Sequence, residues 1–246
     1  MKLLIIRFSS IGDIVLTTPV VRCIRNQIPG AEIHYLTKSS FREIIEPNPY
    51  INKRFYLSDD LNGLLAELNQ ERYDYVIDLH HNLRTARVKQ ALGAKSFSFP
   101  KLNIRKWVLV HTKINLMPDI SIVDRYFEAV SSLGVQNDGQ GLDYFIPEHT
   151  PDVCADLPDS HQAGFAACVI GGSYFTKRLP VAKWNELCAI TPYPLVLLGG
   201  PEDQATGDLI AAAWPDKVYN ACGKYSLNGS ARFIQSARIV VSNDTG

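Results

Sequence analysis

The heptapeptide Arg7-Phe8-Ser9-Ser10-Ile11-Gly12-Asp13 sets a carboxylate just beyond an apolar run and at the start of a helical pattern. In open α/β sheets, ligands bind beyond the carboxyl ends of strands, so such a turn faces a binding cleft. Two roles suit Asp13 there. A short acid at a helix start caps the first turn, and spacing alone favours that reading. An acid in a cleft can instead accept a proton from a substrate hydroxyl. The turn is no dinucleotide fingerprint, because Gly12 is its only glycine, and it lacks the Lys-Ser/Thr ending of a phosphate-binding loop.

Three further stretches carry chemistry. Gly171-Gly172-Ser173-Tyr174-Phe175-Thr176-Lys177-Arg178-Leu179-Pro180 also follows an apolar run and precedes a helical pattern. Its glycines let backbone amides approach an anion, Ser173 and Thr176 offer hydroxyls, and Lys177 and Arg178 bring positive charge, a combination that suits phosphate. In Leu198-Gly199-Gly200-Pro201-Glu202-Asp203, Glu202 either accepts hydrogen bonds from a ribose or merely adds negative charge to a helix start. In Asn243-Asp244-Thr245-Gly246, amides and the Thr245 hydroxyl could hold phosphate while Asp244 takes sugar hydroxyls.

Elements that would position these residues alternate along nearly the whole chain. Strands are expected at 3–8, 33–37, 54–57 and 75–79, with helices at 13–27, 40–46 and 60–70 between them. Pro19 either kinks the first helix or opens its regular part, where proline fits. A helix at 121–133 ends at Gly134, and the turn-rich residues 136–158 read as a linker. The alternation then resumes, with strands at 165–170, 195–198, 217–220 and 239–241 and helices at 181–189, 202–213 and 227–236. Strands separated by helices imply right-handed crossovers and a parallel sheet. The last strand is expected inside its sheet.

Composition limits the alternatives. The 246 residues are 46% hydrophobic and 20% charged, the balance of a folded protein. Lys plus Arg equal Asp plus Glu at 25 each, so net charge points to no nucleic acid. Cys23, Cys154, Cys168, Cys188 and Cys222 are odd in number and form no C-x-x-C pair, which suggests reduced thiols in a cytoplasmic protein and no zinc site. Arg7 cuts the N-terminal apolar run short of a signal peptide.

The first heptapeptide with Leu16-Thr17-Thr18-Pro19, then Thr176-Lys177-Arg178-Leu179-Pro180, Leu198-Gly199-Gly200-Pro201, Cys222-Gly223-Lys224 and Val241-Ser242-Asn243-Asp244-Thr245-Gly246, resembles the lipopolysaccharide heptosyltransferases, glycosyltransferase family 9. The matches keep family order and span the chain. The resemblance implies an α/β protein of GT-B architecture with two Rossmann-like, doubly wound domains: an acceptor domain at 1–150 and a nucleotide-sugar donor domain at 151–246. Family members continue past the Asp-Thr-Gly loop, so the second domain is expected to be incomplete. The implied reaction is an inverting transfer of heptose from ADP-L-glycero-D-manno-heptose to the lipopolysaccharide inner core, with no metal or other cofactor.

By that resemblance Asp13 matches the catalytic carboxylate. Lys177 matches the lysine at the donor phosphates, in the loop with Ser173 and Thr176. Asp244, Thr245 and Gly246 match the donor-sugar and phosphate loop, and Glu202, or Asp203 one residue on, matches the ribose contact. A charge asymmetry bears on the acceptor. Residues 79–118 contain no Asp or Glu but eight cations: Arg84, Arg87, Lys89, Lys95, Lys101, Arg105, Lys106 and Lys113. A solvated basic face is the plain reading of such a run. The other is a surface for a phosphorylated lipid A–core acceptor at the anionic inner face of the cytoplasmic membrane, visited peripherally. Ser10, Gly12, His81, Arg84 and Arg87 are then the acceptor contacts. Two rival readings stay open: a GT-B transferase with another nucleotide sugar, and a non-catalytic module that binds phosphorylated glycolipid.

Overall fold

Leu3, Leu4, Ile5 and Ile6 are consecutive aliphatics, and all four are fully buried. A strand with apolar side chains on both sides needs cover on both faces, which is the situation of an interior parallel strand. The computed structural model, which describes residues 1–172 and 174–243, places them so. Contacts divide the chain into two units, Met1–Phe145 and Ile146–Gly246.

In the first unit, β1 (Lys2–Ile6) leads through α1 (Ile11–Val15) and α2 (Thr18–Gln27) to β2 (Glu32–Lys38). The expected single helix is thus split, and Pro19 lies in the first turn of α2, where a missing N–H removes no helical bond. After α3 (Arg42–Ile45) come β3 (Lys53–Leu57), α4 (Leu61–Gln70) and β4 (Tyr75–Asp78). Asp60 caps α4 by accepting from the Gly63 amide at 2.9 Å. Then follow α5 (Leu83–Leu92), β5 (Lys95–Ser98), α6 (Asn103–Thr112) and α7 (Ile122–Glu128). The strands pair in parallel in the order β3-β2-β1-β4-β5. The chain winds one way from β1 and returns to lay β4 on its other side, so the topological switch point lies between β1 and β4.

The second unit repeats the plan. It runs α8 (Asp159–Gln162), β6 (Ala166–Val169), α9 (Val181–Ile190), β7 (Leu195–Leu198), α10 (Gln204–Ala213), β8 (Val218–Asn220), α11 (Leu227–Ser236) and β9 (Ile239–Ser242). All pairs are parallel in the order β8-β7-β6-β9, which puts this switch point between β6 and β9. Alternate residues feed two cores. Cys168 and Ile170 pack with Trp184 and Ile210 on one face, while Phe165 and Ala167 pack with Val196 and Phe233 on the other. The buried thiols belong to this packing, and burial pushes Cys168 and Cys222 up to about 12.

Two expectations about elements change. Residues 136–158 do join the two units, whose boundary falls at 145/146, but the segment is packed rather than loose. Arg22, only 3% exposed, meets Asp138 at 2.8 Å and Asp143 at 2.5 Å, while Val153 is buried in the second unit's core. Polar composition hid a segment whose acids satisfy a buried cation. The strand β9 is an edge strand rather than an interior one: among the described residues it pairs only with β6, and Ile239 and Val240 are about half exposed.

Candidate functional site

The loop leaving β1 is fixed by Arg7. Its Nη1 donates to the Leu79 carbonyl at 2.7 Å, its Nε donates to the Ser9 carbonyl at 2.7 Å, and its Nη2 meets Asp13 Oδ2 at 2.6 Å. The Arg7 guanidinium also lies over the Tyr126 ring, 5.9 Å from its centroid. One side chain therefore joins the turns after β1 and β4, the two strands flanking the switch point.

Asp13 sits in the first turn of α1. Ser10 donates to Oδ2 from its backbone N–H at 3.3 Å and from its hydroxyl at 3.0 Å. The capping role expected from spacing is present, yet the carboxylate remains 38% exposed. Burial pushes the carboxyl up, but Arg7 and the Ser10 hydrogen bonds outweigh it and hold it below the usual Asp range. It is therefore ionised at neutral pH.

Beside Asp13, a pocket of about 230 Å³ is lined by Arg7, His80, Lys101, Lys106 and Tyr126, among others. His80 packs edge-on against Phe8 with ring centroids 5.2 Å apart, and its Nδ1 is buried without a hydrogen-bond partner among the described residues. Burial first, then the charges of Arg7 and Lys101, push His80 down to about 4, so its imidazole is neutral. Asp78 builds this turn. It is fully buried, pairs with Lys89 at 2.9 Å, and accepts the amides of His80 and His81 at 3.1 and 2.6 Å.

The other candidate acceptor contacts are dispersed. Ser10 touches Asp13, and the Gly12 carbonyl accepts from the Leu16 amide within α1. His81, with φ +56°, is exposed and places Nδ1 3.2 Å from the Phe99 carbonyl, outside the lining of the Asp13 pocket. Arg84 lines a separate depression of about 390 Å³ with Lys38, Ser39, Ser40 and Ser58, and Arg87 is exposed on α5. The opposite end of this sheet holds Glu32, His34 and Glu71, whose ligand atoms lie within 4.8 Å of one another. Lys2 and Lys53 already pair with Glu71 at 2.9 and 2.5 Å, which makes it a charge network far from the strand ends that carry the pocket.

In the second unit, three strand-end loops converge. Asn243 Nδ2 donates to the Ile170 carbonyl at 2.7 Å, and its Oδ1 accepts the Leu179 amide at 3.2 Å, tying the loop after β6 to the end of β9. Asp203 is buried, accepts the Gly200 amide at 3.0 Å, and lies so close to Gly171 and Gly199 that a Cβ on either would meet its side chain at 2.6 or 2.8 Å. That commits Asp203 to holding the loops together and leaves the exposed Glu202 as the acid turned to solvent. Thr176 and Lys177 lie on a short 3-10 turn, Phe175–Lys177, and both are exposed. Ser173, Asp244, Thr245 and Gly246 lie outside the described residues.

Residues 63–246 match the sequence profile of glycosyltransferase family 9 (heptosyltransferase). The chain belongs to this family. Among curated relatives, lipopolysaccharide heptosyltransferase 1 of Pseudomonas aeruginosa is 24% identical over all of this chain and 74% of its own length. The enzyme of that name from Campylobacter coli is 27% identical over 53% of this chain, a match spanning 41% of the relative. Solved structures agree on the fold. A family 9 glycosyltransferase from Veillonella parvula superposes with a TM-score of 0.80 at 20% identity, covering 99% of this chain and 75% of that one. An Escherichia coli heptosyltransferase with ADP gives 0.75 at 23% identity, covering 100% and 82%. The α/β fold with two parallel sheets matches these GT-B proteins. Within this family 9 chain, the stretch 79–118 expected to meet the acceptor already held His80, Lys101 and Lys106, although of the two histidines His81 was the one named as a contact, and Tyr126 lay outside every stretch singled out. His80 is separated from His81 only through the Asp78 turn that aims them differently.

Proposed function

We propose that this family 9 protein transfers heptose from ADP-L-glycero-D-manno-heptose to the inner core of lipopolysaccharide, with inversion and without a metal. The observation that carries the reading is Asp13: an ionised, solvent-accessible carboxylate at the switch point of the first unit, oriented by Arg7 and Ser10 beside a cationic pocket. The relatives' names supply the reaction class and the sugar.

In this reading the first unit takes the acceptor and the second the donor. Asp13 accepts the proton of the attacking hydroxyl as that oxygen reaches the anomeric carbon from the face opposite ADP. The diphosphate leaves with the largest charge that develops, and Lys177 with the amides of the Gly171–Gly172 loop meets it, electrostatic help placed where charge appears. Neutral His80 supplies a polar ring in the same pocket without adding a competing positive charge. The salt bridge to Arg7 makes Asp13 a weaker base but keeps it ionised and fixed, and a positioned general base is typically worth ~10²–10⁴ in rate.

Asp13→Asn preserves the shape and both Ser10 contacts. Its turnover should fall at least ~100-fold while ADP affinity stays within about twofold of the parent. Near-parental turnover would return Asp13 to a capping role and remove the basis of the proposal.

A further inference from the structure

Helix α6 holds ten residues, and none is buried. By contrast, α2 in the same unit buries seven of its ten. Yet α6 is not polar: Ile104 is 80% exposed, Trp107 60% and Val110 63%, and Ile114 just beyond is 58% exposed. At 100° per residue, Ile104, Trp107 and Val110 fall on one side of the helix, with Lys106 on its flank and Arg105 turned to the opposite side. The Trp107 ring stacks on His111, centroids 4.4 Å apart, so its other face is open.

Little in water holds this helix. Its N-cap, Leu102, is a left-handed residue with φ +55° and no capping side chain, and its C-cap, Lys113, also has positive φ. Isolated helices of this length are marginal, and most gain their stability from a covered apolar face. The charge around it defines what could provide that cover. Lys106 and Lys113 border the face and Lys101 precedes the helix, within residues 79–118 that lack any acid. A surface that is apolar beneath and anionic at its rim complements both features, and that is a bilayer bearing acidic headgroups. Asn103 and Lys106 of the same helix line the Asp13 pocket, so docking α6 would bring the pocket mouth to the lipid surface.

We infer that α6 lies in the interface of an anionic membrane, with Ile104, Trp107 and Val110 inserted among the acyl chains and its flanking cations on the headgroups. The inference rests on the surface of the first unit and is independent of the transfer reaction.

The test is flotation of the intact protein with vesicles of phosphatidylcholine containing phosphatidylglycerol, against vesicles of phosphatidylcholine alone, with no acceptor or donor present. Binding should favour the anionic vesicles, weaken as salt rises, and blue-shift tryptophan emission. Ile104→Ser with Trp107→Ser should weaken binding at least ~10-fold, and Lys113→Glu should reduce the preference for anionic lipid. Neither Ile104 nor Trp107 lines the Asp13 pocket, so the Ser double variant should leave transfer to a delipidated acceptor unchanged. No binding to anionic vesicles, equal binding to both vesicle types, or full binding by the Ser double variant would overturn the inference. A failed transfer assay would count against the proposed reaction and leave the vesicle result standing.

Discussion

Asp13 and His80 share one pocket, and their surroundings fix opposite charge states. The Arg7 guanidinium and Ser10 keep Asp13 ionised, whereas burial and the same guanidinium keep His80 uncharged. This difference has a consequence for stability. An unfolded histidine takes up a proton near 6.5, but His80 in the fold resists it until about 4. Between those values the unfolded state binds more protons, so stability is present above about 6.5 and declines as pH falls through the window. Because the ring is only partly buried, solvent screening should hold the loss to on the order of 1 kcal/mol. His80→Gln removes the titration and should flatten the pH dependence of urea unfolding there. An unchanged slope in that variant would mean the imidazole protonates freely in the fold.

At the scale of elements, the segment after α7 matters more than its composition suggests. Asp138 and Asp143, with the Gly141 carbonyl, surround the Arg22 guanidinium on α2. A buried ion pair is weak evidence for net stability, but removing one partner strands the others. Arg22→Ala should therefore cost about 3–5 kcal/mol by chemical denaturation, well above the ordinary effect of a surface change. A loss under about 1 kcal/mol would show that the two aspartates relax into water. The strands were legible because buried aliphatic runs such as Leu3–Ile6 have few alternatives. Residues 79–118 were not. There β5 is a four-residue edge strand, Lys95–Ser98, with Phe97 its one apolar residue, and α6 covers nothing, so neither produces the contrast between buried and exposed faces on which periodicity depends. The split of α1 from α2 was legible only as an ambiguity at Pro19, which fits a kink and a helix start equally well.

For the whole molecule, strand order does what motif spacing alone could not. Both sheets reverse direction at their first strand, and in each case the reversal lies beside a loop whose residue types had already suggested ligand binding. The sequence could place Asp13 and Lys177 after strands; which neighbouring turns would join them depended on contacts distant in sequence, such as Arg7 to Leu79 and Asn243 to Ile170. Two units with separate cores and separate switch points permit a division of labour that hydrogen exchange can read. If the second unit takes the donor, ADP should slow exchange in residues 171–180 and 199–203, where Asp203 and Asn243 already hold the loops near one another. Saturation at 100 times Kd adds about 2.7 kcal/mol to whatever folds around the ligand. That gain should therefore appear in amides of the second unit that exchange by global opening. A lysine on a diphosphate makes a charge-assisted contact of about 1.5–3 kcal/mol, so Lys177→Ala should weaken ADP binding roughly 10- to 150-fold and, at fixed ADP, abolish the protection. Protection confined to the first unit, or equal ADP affinity in Lys177→Ala, would move the diphosphate away from the loop after β6 and reverse the roles assigned to the two units.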